Sequence, residues 1–305
     1  MRGNDGMNNA KEEKEQRTDA DLQEAAERKI KPLAGAPKVL VTGVSSGIGK
    51  ATAELFARGG YEVYGVSRSV KPGSRRYKRG GILRYLPMDV TDDDSVRRVM
   101  AKIGPLDILV LAAGMGIAGS AEEVPIDLVK RQMDVNYYGV LRVVSAALPP
   151  MRERMYGKII IVGSLGGRVA IPMQSHYSSS KYALEAYTDA LRIELKPYDI
   201  DVSIIEPGDT KTGFTANRET FLPEDSVYKD AVEHAVKVMA RDEMNGDPAE
   251  NVAMAILKCS KSDHPKAHII CGRSCKLAGF ALKHLPDRVR EYAVRKLYMT
   301  DHGED

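Results

Sequence analysis

A short apolar run, Val39-Leu40-Val41, ends directly in the turn Thr42-Gly43-Val44-Ser45-Ser46-Gly47-Ile48-Gly49, and a helical pattern through Ala51, Leu55 and Phe56 follows. Three glycines spaced G-x-x-x-G-x-G between a strand and a helix narrow what the chain can become. Glycines there allow a tight turn and let a phosphate approach the backbone. The helix that follows offers free N–H groups and the positive end of its dipole to a pyrophosphate. The spacing differs from the G-x-G-x-x-G of many dinucleotide folds, but the strand–turn–helix setting reads as a nucleotide cradle. Thr42, Gly43, Ser45, Ser46, Gly47, Ile48 and Gly49 are its candidate contacts.

The rest of the chain repeats that alternation. Strand-like runs fall at Val63-Tyr64 with Val66, at 83–86, 108–111, 159–162, 202–205 and 268–270. Helical patterns fall at 94–103, 125–154 and 175–195. Strands apolar on both faces, alternating with helices, predict an α/β fold with a doubly wound parallel sheet. Residues 1–36 are polar and nearly free of large apolar side chains, which predicts a disordered tail, with 19–30 able to form a short helix. A single Rossmann-type domain is expected over 37–274, with an amphipathic helical extension over 275–305.

Composition excludes several function classes. The 305 residues carry a net charge of only +3 with no concentrated basic stripe, which argues against nucleic-acid binding. The three cysteines, Cys259, Cys271 and Cys275, lack metal-ligand spacing and read as thiols in a reducing compartment. No run is long and apolar enough to span a bilayer, and the N-terminus lacks a signal-peptide core, so a cytoplasmic location is expected.

Two further features carry chemistry. At the end of the second strand, where an acidic residue would bind a ribose 2′-hydroxyl, stand Ser67 and Arg68, followed by Lys71, Arg75 and Arg76. No carboxylate repels a 2′-phosphate and a guanidinium is available to grip it, which favours NADP(H) over NAD(H). The alternative is that Arg68 is a solvated loop residue. Tyr177 precedes Lys181 by four residues, which on a helix places phenol and ammonium on one face. A fixed cation lowers a phenol from its ordinary value near ~10, so the pair can exchange a proton during a reaction. Such pairs also arise by chance on solvated helix faces.

With the turn, Ser164 and the Tyr–Lys pair in this order, the chain resembles the short-chain dehydrogenase/reductase family over about 38–272, with a looser likeness to its 17-beta-hydroxysteroid and retinol dehydrogenase branch. The resemblance implies a catalytic tetrad of Asn136, Ser164, Tyr177 and Lys181, with Asn136 holding a water in a proton relay to the lysine. It also implies adenine contact at Asp89-Val90, cofactor contact at Ala112 and Gly114, a nicotinamide turn at Pro207-Gly208 and a carboxamide contact at Thr212. One departure is clear. The family's Asn-Asn-Ala-Gly is here Leu111-Ala112-Ala113-Gly114, so hydrogen bonds made by those asparagines must be replaced or lost.

The segments 165–176 and 211–228 flank the expected substrate site. Val169, Ile171, Pro172 and Met173, with Phe214, Phe221, Leu222 and Tyr228, suggest an apolar wall and a lipophilic carbonyl or alcohol, or else pack a lid onto the body. Beyond Cys275, Leu277, Phe280, Ala281 and Leu285 share one helical face, and Val289, Tyr292, Ala293 and Leu297 another. These helices read as packed on the substrate end or on a neighbouring subunit, with contact to anionic lipid as the competing reading. The resulting expectation is an NADP(H)-dependent oxidoreductase interconverting a ketone and a secondary alcohol, working as a homodimer or homotetramer. The alternatives are an NAD-dependent alcohol dehydrogenase on a small polar substrate and a non-catalytic NADP(H) sensor.

Overall fold

The computed structural model describes residues 35–272 and 285–299. The expected tail helix, Cys275, Leu277, Phe280 and Ala281 lie outside the described residues. Eight strands form one sheet: β1 (Lys38–Thr42), β2 (Glu62–Ser67), β3 (Gly73–Arg76), β4 (Ile82–Pro87), β5 (Ile108–Leu111), β6 (Gly157–Val162), β7 (Ile200–Pro207) and β8 (His268–Cys271). Their spatial order is β8-β7-β6-β5-β1-β2-β4-β3. All neighbours are parallel except β3 and β4. The edge strand β3 was not expected from the sequence. Its GSRR is exposed throughout and has no apolar signature.

Alternation along the strands explains why they read as continuous apolar runs. Leu40, Leu109, Ile159 and Ile161 face one core, while Val39, Val41, Ile108, Val110 and Ile160 face the other. The first core is covered by α2 (Asp93–Ile103), α4 (Gly139–Glu153) and α5 (Ser175–Glu194) through Met100, Val144 and Leu184. The second is covered by α1 (Gly47–Arg58) and α7 (Ala249–Lys261) through Phe56, Val252 and Ile256. α3 (Ile126–Met133) runs into α4 through a π-helical turn, Asp134–Tyr138, where one unbroken helix was expected.

The chain runs outward from β1 to β2 and β4, then returns to β5 on the other side of β1. Ligands bind where such a sheet changes direction, at the carboxyl ends of its strands. α6 (Lys229–Met244) and α8 (Asp287–Tyr298) pack on each other and close that end. Among the described residues, no helix is long and apolar enough to cross a membrane.

Candidate active site

One cavity of about 890 Å³ opens at the change of direction. Its wall at one end is the glycine turn. Gly43 has φ +76, and a Cβ there would lie 2.7 Å from the Ala112 carbonyl oxygen. A Cβ on Gly49 would lie 2.3 Å from the Gly43 oxygen, so the first turn of α1 can sit against the loop only without a side chain. Ser46 caps α1 with no side-chain hydrogen bond, leaving the helix N-terminus to a ligand.

Thr42 ties the glycine turn to the loop after β5. Its buried Oγ1 accepts from the N–H groups of both Ala112 and Ala113, each at 3.0 Å, and so joins the ends of β1 and β5.

At the end of β2, Ser67, Arg68 and Ser69 line the cavity. Ser67 Oγ is buried without a partner, and among the described residues Arg68 forms no ion pair. Arg75 and Arg76 lie instead on edge strand β3 and do not line the cavity, and Lys71 does not line it either. Asp89 and Val90 also line it. Asp89 Oδ1 is held by Thr91, through its N–H at 2.9 Å and its hydroxyl at 2.7 Å.

Ser164, Tyr177 and Lys181 line one cavity, whereas Asn136 does not line it. Tyr177 and Lys181 stand one turn apart on α5, both buried, with Nζ 5.8 Å from the centre of the phenol ring. Ser164 Oγ accepts from the Gly166 N–H at 3.0 Å, and Ser164 Oγ and the Tyr177 ring edge flank Gly166, each 3.3 Å from its Cβ position. Lys181 Nζ donates to the Val162 carbonyl at 3.0 Å. Asn136 lies in the π-helical turn, fully buried. Its Oδ1 accepts from Met115 N at 2.8 Å, and its Nδ2 donates to Met115 O at 2.9 Å and to Ser180 Oγ at 3.0 Å. The side-chain amide thus ties the loop after β5 to α5. Gly114 stands between Asn136 and Lys181, its Cβ position 3.4 Å from Oδ1 and 3.9 Å from Nζ.

The electrostatics differ from the expectation that the lysine draws the phenol down. Burial pushes the Tyr177 phenol up, opposed by Ser164, while Glu243 adds to the rise and Arg218 opposes it. Burial also pushes Lys181 down to about 8, with Glu185 acting the other way. Both groups are therefore biased toward their neutral forms, and a neutral phenol is one that can donate a proton.

Behind them lies a charge cluster that sequence reading missed. His268 Nδ1 is 2.9 Å from both Glu185 Oε2 and Glu206 Oε1, and its Nε2 is 2.8 Å from Asp189. Arg168 grips Glu206 with two nitrogens. Hydrogen bonds to Glu185 and Glu206 raise His268 to about 10, so it is a cation at neutral pH. Its members are scattered from 168 to 268: Glu206 and His268 come from the paired strands β7 and β8, Glu185 and Asp189 from α5, and Arg168 from the loop after β6.

Pro207, Gly208, Asp209 and Thr212 also line the cavity. Thr212 packs on Gly47, and its Oγ1 accepts from Phe214 N at 3.1 Å. The apolar wall consists of Val169, Ile171, Phe214, Met239 and α8 residues such as Leu297. Phe214 lies 5.7 Å from the Tyr177 ring, centre to centre. Pro172, Met173, Phe221, Leu222 and Tyr228 do not line the cavity. Phe221 N instead bonds to Ala118 O at 2.8 Å, and the Tyr228 hydroxyl bonds to Glu122 at 2.7 Å, so this part of the segment is pinned to the body.

Comparisons agree with this geometry. The family model described as short chain dehydrogenase matches residues 37–222. A 3-ketodihydrosphingosine reductase from Bacteroides thetaiotaomicron is 38% identical over 267 residues, covering 85% of this chain and 97% of the relative. Human 17-beta-hydroxysteroid dehydrogenase type 1 is 35% identical over 188 residues, covering 58% of this chain and 57% of the relative. The crystal structure of a short-chain dehydrogenase from Streptomyces avermitilis superposes with a TM-score of 0.71 at 27% identity, covering 86% of this chain and 96% of that one. Parallel sheet, glycine turn and matched sequence together make the chain a member of the short-chain dehydrogenase/reductase family of oxidoreductases.

Proposed function

We propose that the protein uses NADP(H) to interconvert a ketone and a secondary alcohol on a lipophilic substrate. The observation that carries this is the Tyr177 phenol, lining one cavity with Ser164, with Lys181 one turn away on its helix and with the glycine turn. The cradle at Gly43 and Gly49 and the unpartnered Ser67 Oγ fit a dinucleotide, and the unpaired Arg68 fits a 2′-phosphate.

When bound, the reduced cofactor supplies a hydride to the carbonyl carbon. Ser164 donates a hydrogen bond to the carbonyl oxygen. Tyr177 passes its phenolic proton to that oxygen, so C=O becomes CH–OH and a phenolate remains. Lys181 stabilises that phenolate and holds the ribose hydroxyls. Asn136 keeps the wall beside Lys181 in place through Met115 and Ser180. In the reverse direction the phenolate takes the proton of the alcohol.

The apolar wall suits a long acyl or polycyclic substrate. The relatives' names, a ketosphingoid reductase and a steroid dehydrogenase, support the same class. Pairing of two copies belongs to the proposal, supported by the exposed Tyr182 and Ile193 of α5. The test is absorbance of reduced nicotinamide during incubation with 3-ketodihydrosphingosine, a steroid ketone and a retinoid, with NADPH and with NADH. Consumption of NADPH with a lipophilic ketone is expected. Consumption with none of them refutes the reading, and faster consumption of NADH refutes the role of Arg68.

A further inference from the structure

Ser164 stands on a loop, whereas Tyr177 and Lys181 stand on a long helix. After β6 the chain makes one short 3₁₀ turn, Leu165–Gly167, which Ser164 caps through the Gly166 N–H. Two glycines let that turn lie flat on α5. A Cβ on Gly166 would lie 3.3 Å from the Tyr177 ring, and a Cβ on Gly167 would lie 3.0 Å from the Lys181 backbone. Bare backbone packs closely on a helix but has no side chains to interlock with it. The next residue, Arg168, supplies the hold.

Arg168 fastens the loop on two sides. Its carbonyl accepts from the Tyr182 hydroxyl of α5. Its guanidinium meets Glu206 edge to edge: Nη2 donates to Oε1 at 2.7 Å, and Nε pairs with Oε2. The Arg168 side chain is 12% exposed and that of Glu206 fully buried. A two-point contact of this kind fixes direction as well as distance. Glu206 is itself held, by its place in β7 opposite Ile270 of β8 and by His268 Nδ1, 2.9 Å from its Oε1. The same Nδ1 is 2.9 Å from Glu185 on α5. Pro207, the residue after Glu206, lines the cavity together with Gly208. The charge cluster thus joins the Ser164 loop, the helix of Tyr177 and Lys181, and the end of β7. Arg168 itself does not line the cavity.

We propose that Arg168 is a positioning residue: its paired contact with Glu206 holds the Ser164 hydroxyl in register with Tyr177. It acts on hydride transfer through Ser164, and not on cofactor binding. This rests on the reading of Ser164 and Tyr177 as the two groups that meet the carbonyl oxygen. A shift of about 1 Å in such a group costs on the order of 10²-fold in rate, so a hold outside the cavity can govern the chemistry inside it.

The test is a double-mutant cycle, read as single-turnover NADPH oxidation with a lipophilic ketone at saturating cofactor. Arg168→Met is expected to slow hydride transfer by ~10–100-fold, with NADPH affinity, read by its fluorescence, within ~3-fold of wild type. Arg168→Lys keeps the charge without the fork and is expected to recover part of the rate. In a Ser164→Ala background, Arg168→Met is expected to cost less than a further ~3-fold, because the group it positions is gone. A loss of stability alone gives the same factor in both backgrounds. Arg168→Met leaves the Glu206 carboxylate short of a counterion; if it does not fold, Arg168→Met with Glu206→Gln removes both charges and takes its place in the cycle. Equal factors in the two backgrounds overturn the proposal, and so does a wild-type rate in the variant that lacks Arg168. No turnover of any lipophilic ketone by the wild-type protein strikes the functional reading and this inference with it, whereas equal factors strike only the positioning by Arg168.

Discussion

Replacing Thr42 by valine keeps the shape of a buried side chain and removes a single oxygen. That oxygen accepts from the N–H groups of Ala112 and Ala113, at 3.0 Å each, where the family's asparagines are absent. A buried donor left unsatisfied costs about 1–3 kcal/mol. Both alanines are only half-buried at the cavity, so water partly compensates and the lower end applies, about 2 kcal/mol for the pair. Thr42→Ser keeps the oxygen and loses one methyl group, which costs about 1 kcal/mol. Hydrophobic burial alone gives the opposite order, with valine better than serine at a site 1% exposed to solvent. Urea denaturation of the three cofactor-free proteins, followed by circular dichroism, separates the two arguments. The valine protein is expected to unfold at the lowest midpoint with an unchanged slope. A valine protein as stable as the serine protein, or more so, refutes the stabilising role of Thr42 Oγ1 as the acceptor for Ala112 and Ala113.

Other consequences follow from the charges. Lys181 lies at about 8 in the fold against 10.5 when exposed, so below pH 8 the fold bears the full cost of the buried ammonium, and that cost is relieved as pH rises from 8 toward 10.5. Lys181→Met should therefore stabilise the cofactor-free protein at pH 7 by up to ~3 kcal/mol, with a smaller gain near pH 10, while abolishing turnover; thermal melts at the two pH values check it. His268 is raised to about 10 from 6.5, so its stabilisation is complete below pH 6.5 and disappears as pH rises through 10. His268→Gln should lower the melting temperature most near pH 6 and least near pH 10. Arg68→Glu should weaken NADPH binding by about 10–100-fold and NADH binding far less, measured by cofactor fluorescence.

The sheet was legible because its strands are apolar on both faces and its turn is marked by glycines. The elements missed carry no such signal: the exposed β3 is GSRR, and the π-helical turn keeps a helical pattern while shifting one bond. That turn places Asn136 where its amide reaches Met115 and Ser180, a contact that periodicity cannot show. Ser164, Tyr177 and Lys181 could be read from spacing and family likeness and line one cavity, while Asn136, read from likeness alone, does not line it. The sign of the Tyr177 shift could not, since it depends on how deeply the phenol is buried. Phe214 on Tyr177 was within reach of the sequence, but the division of the lid into Phe214 at the cavity and Phe221 pinned at Ala118 needed the fold.

The central claim is that Tyr177 gives the proton while hydride reaches the carbonyl carbon, and Tyr177→Phe tests it most directly. The substitution removes one oxygen and keeps the ring against Phe214. Single-turnover NADPH oxidation with a lipophilic ketone, at pH 7 and saturating cofactor, is the measurement. The account predicts NADPH affinity within about threefold of wild type and a hydride-transfer rate lower by at least ~10²-fold. A folded, NADPH-bound phenylalanine protein that turns over at the wild-type rate contradicts it.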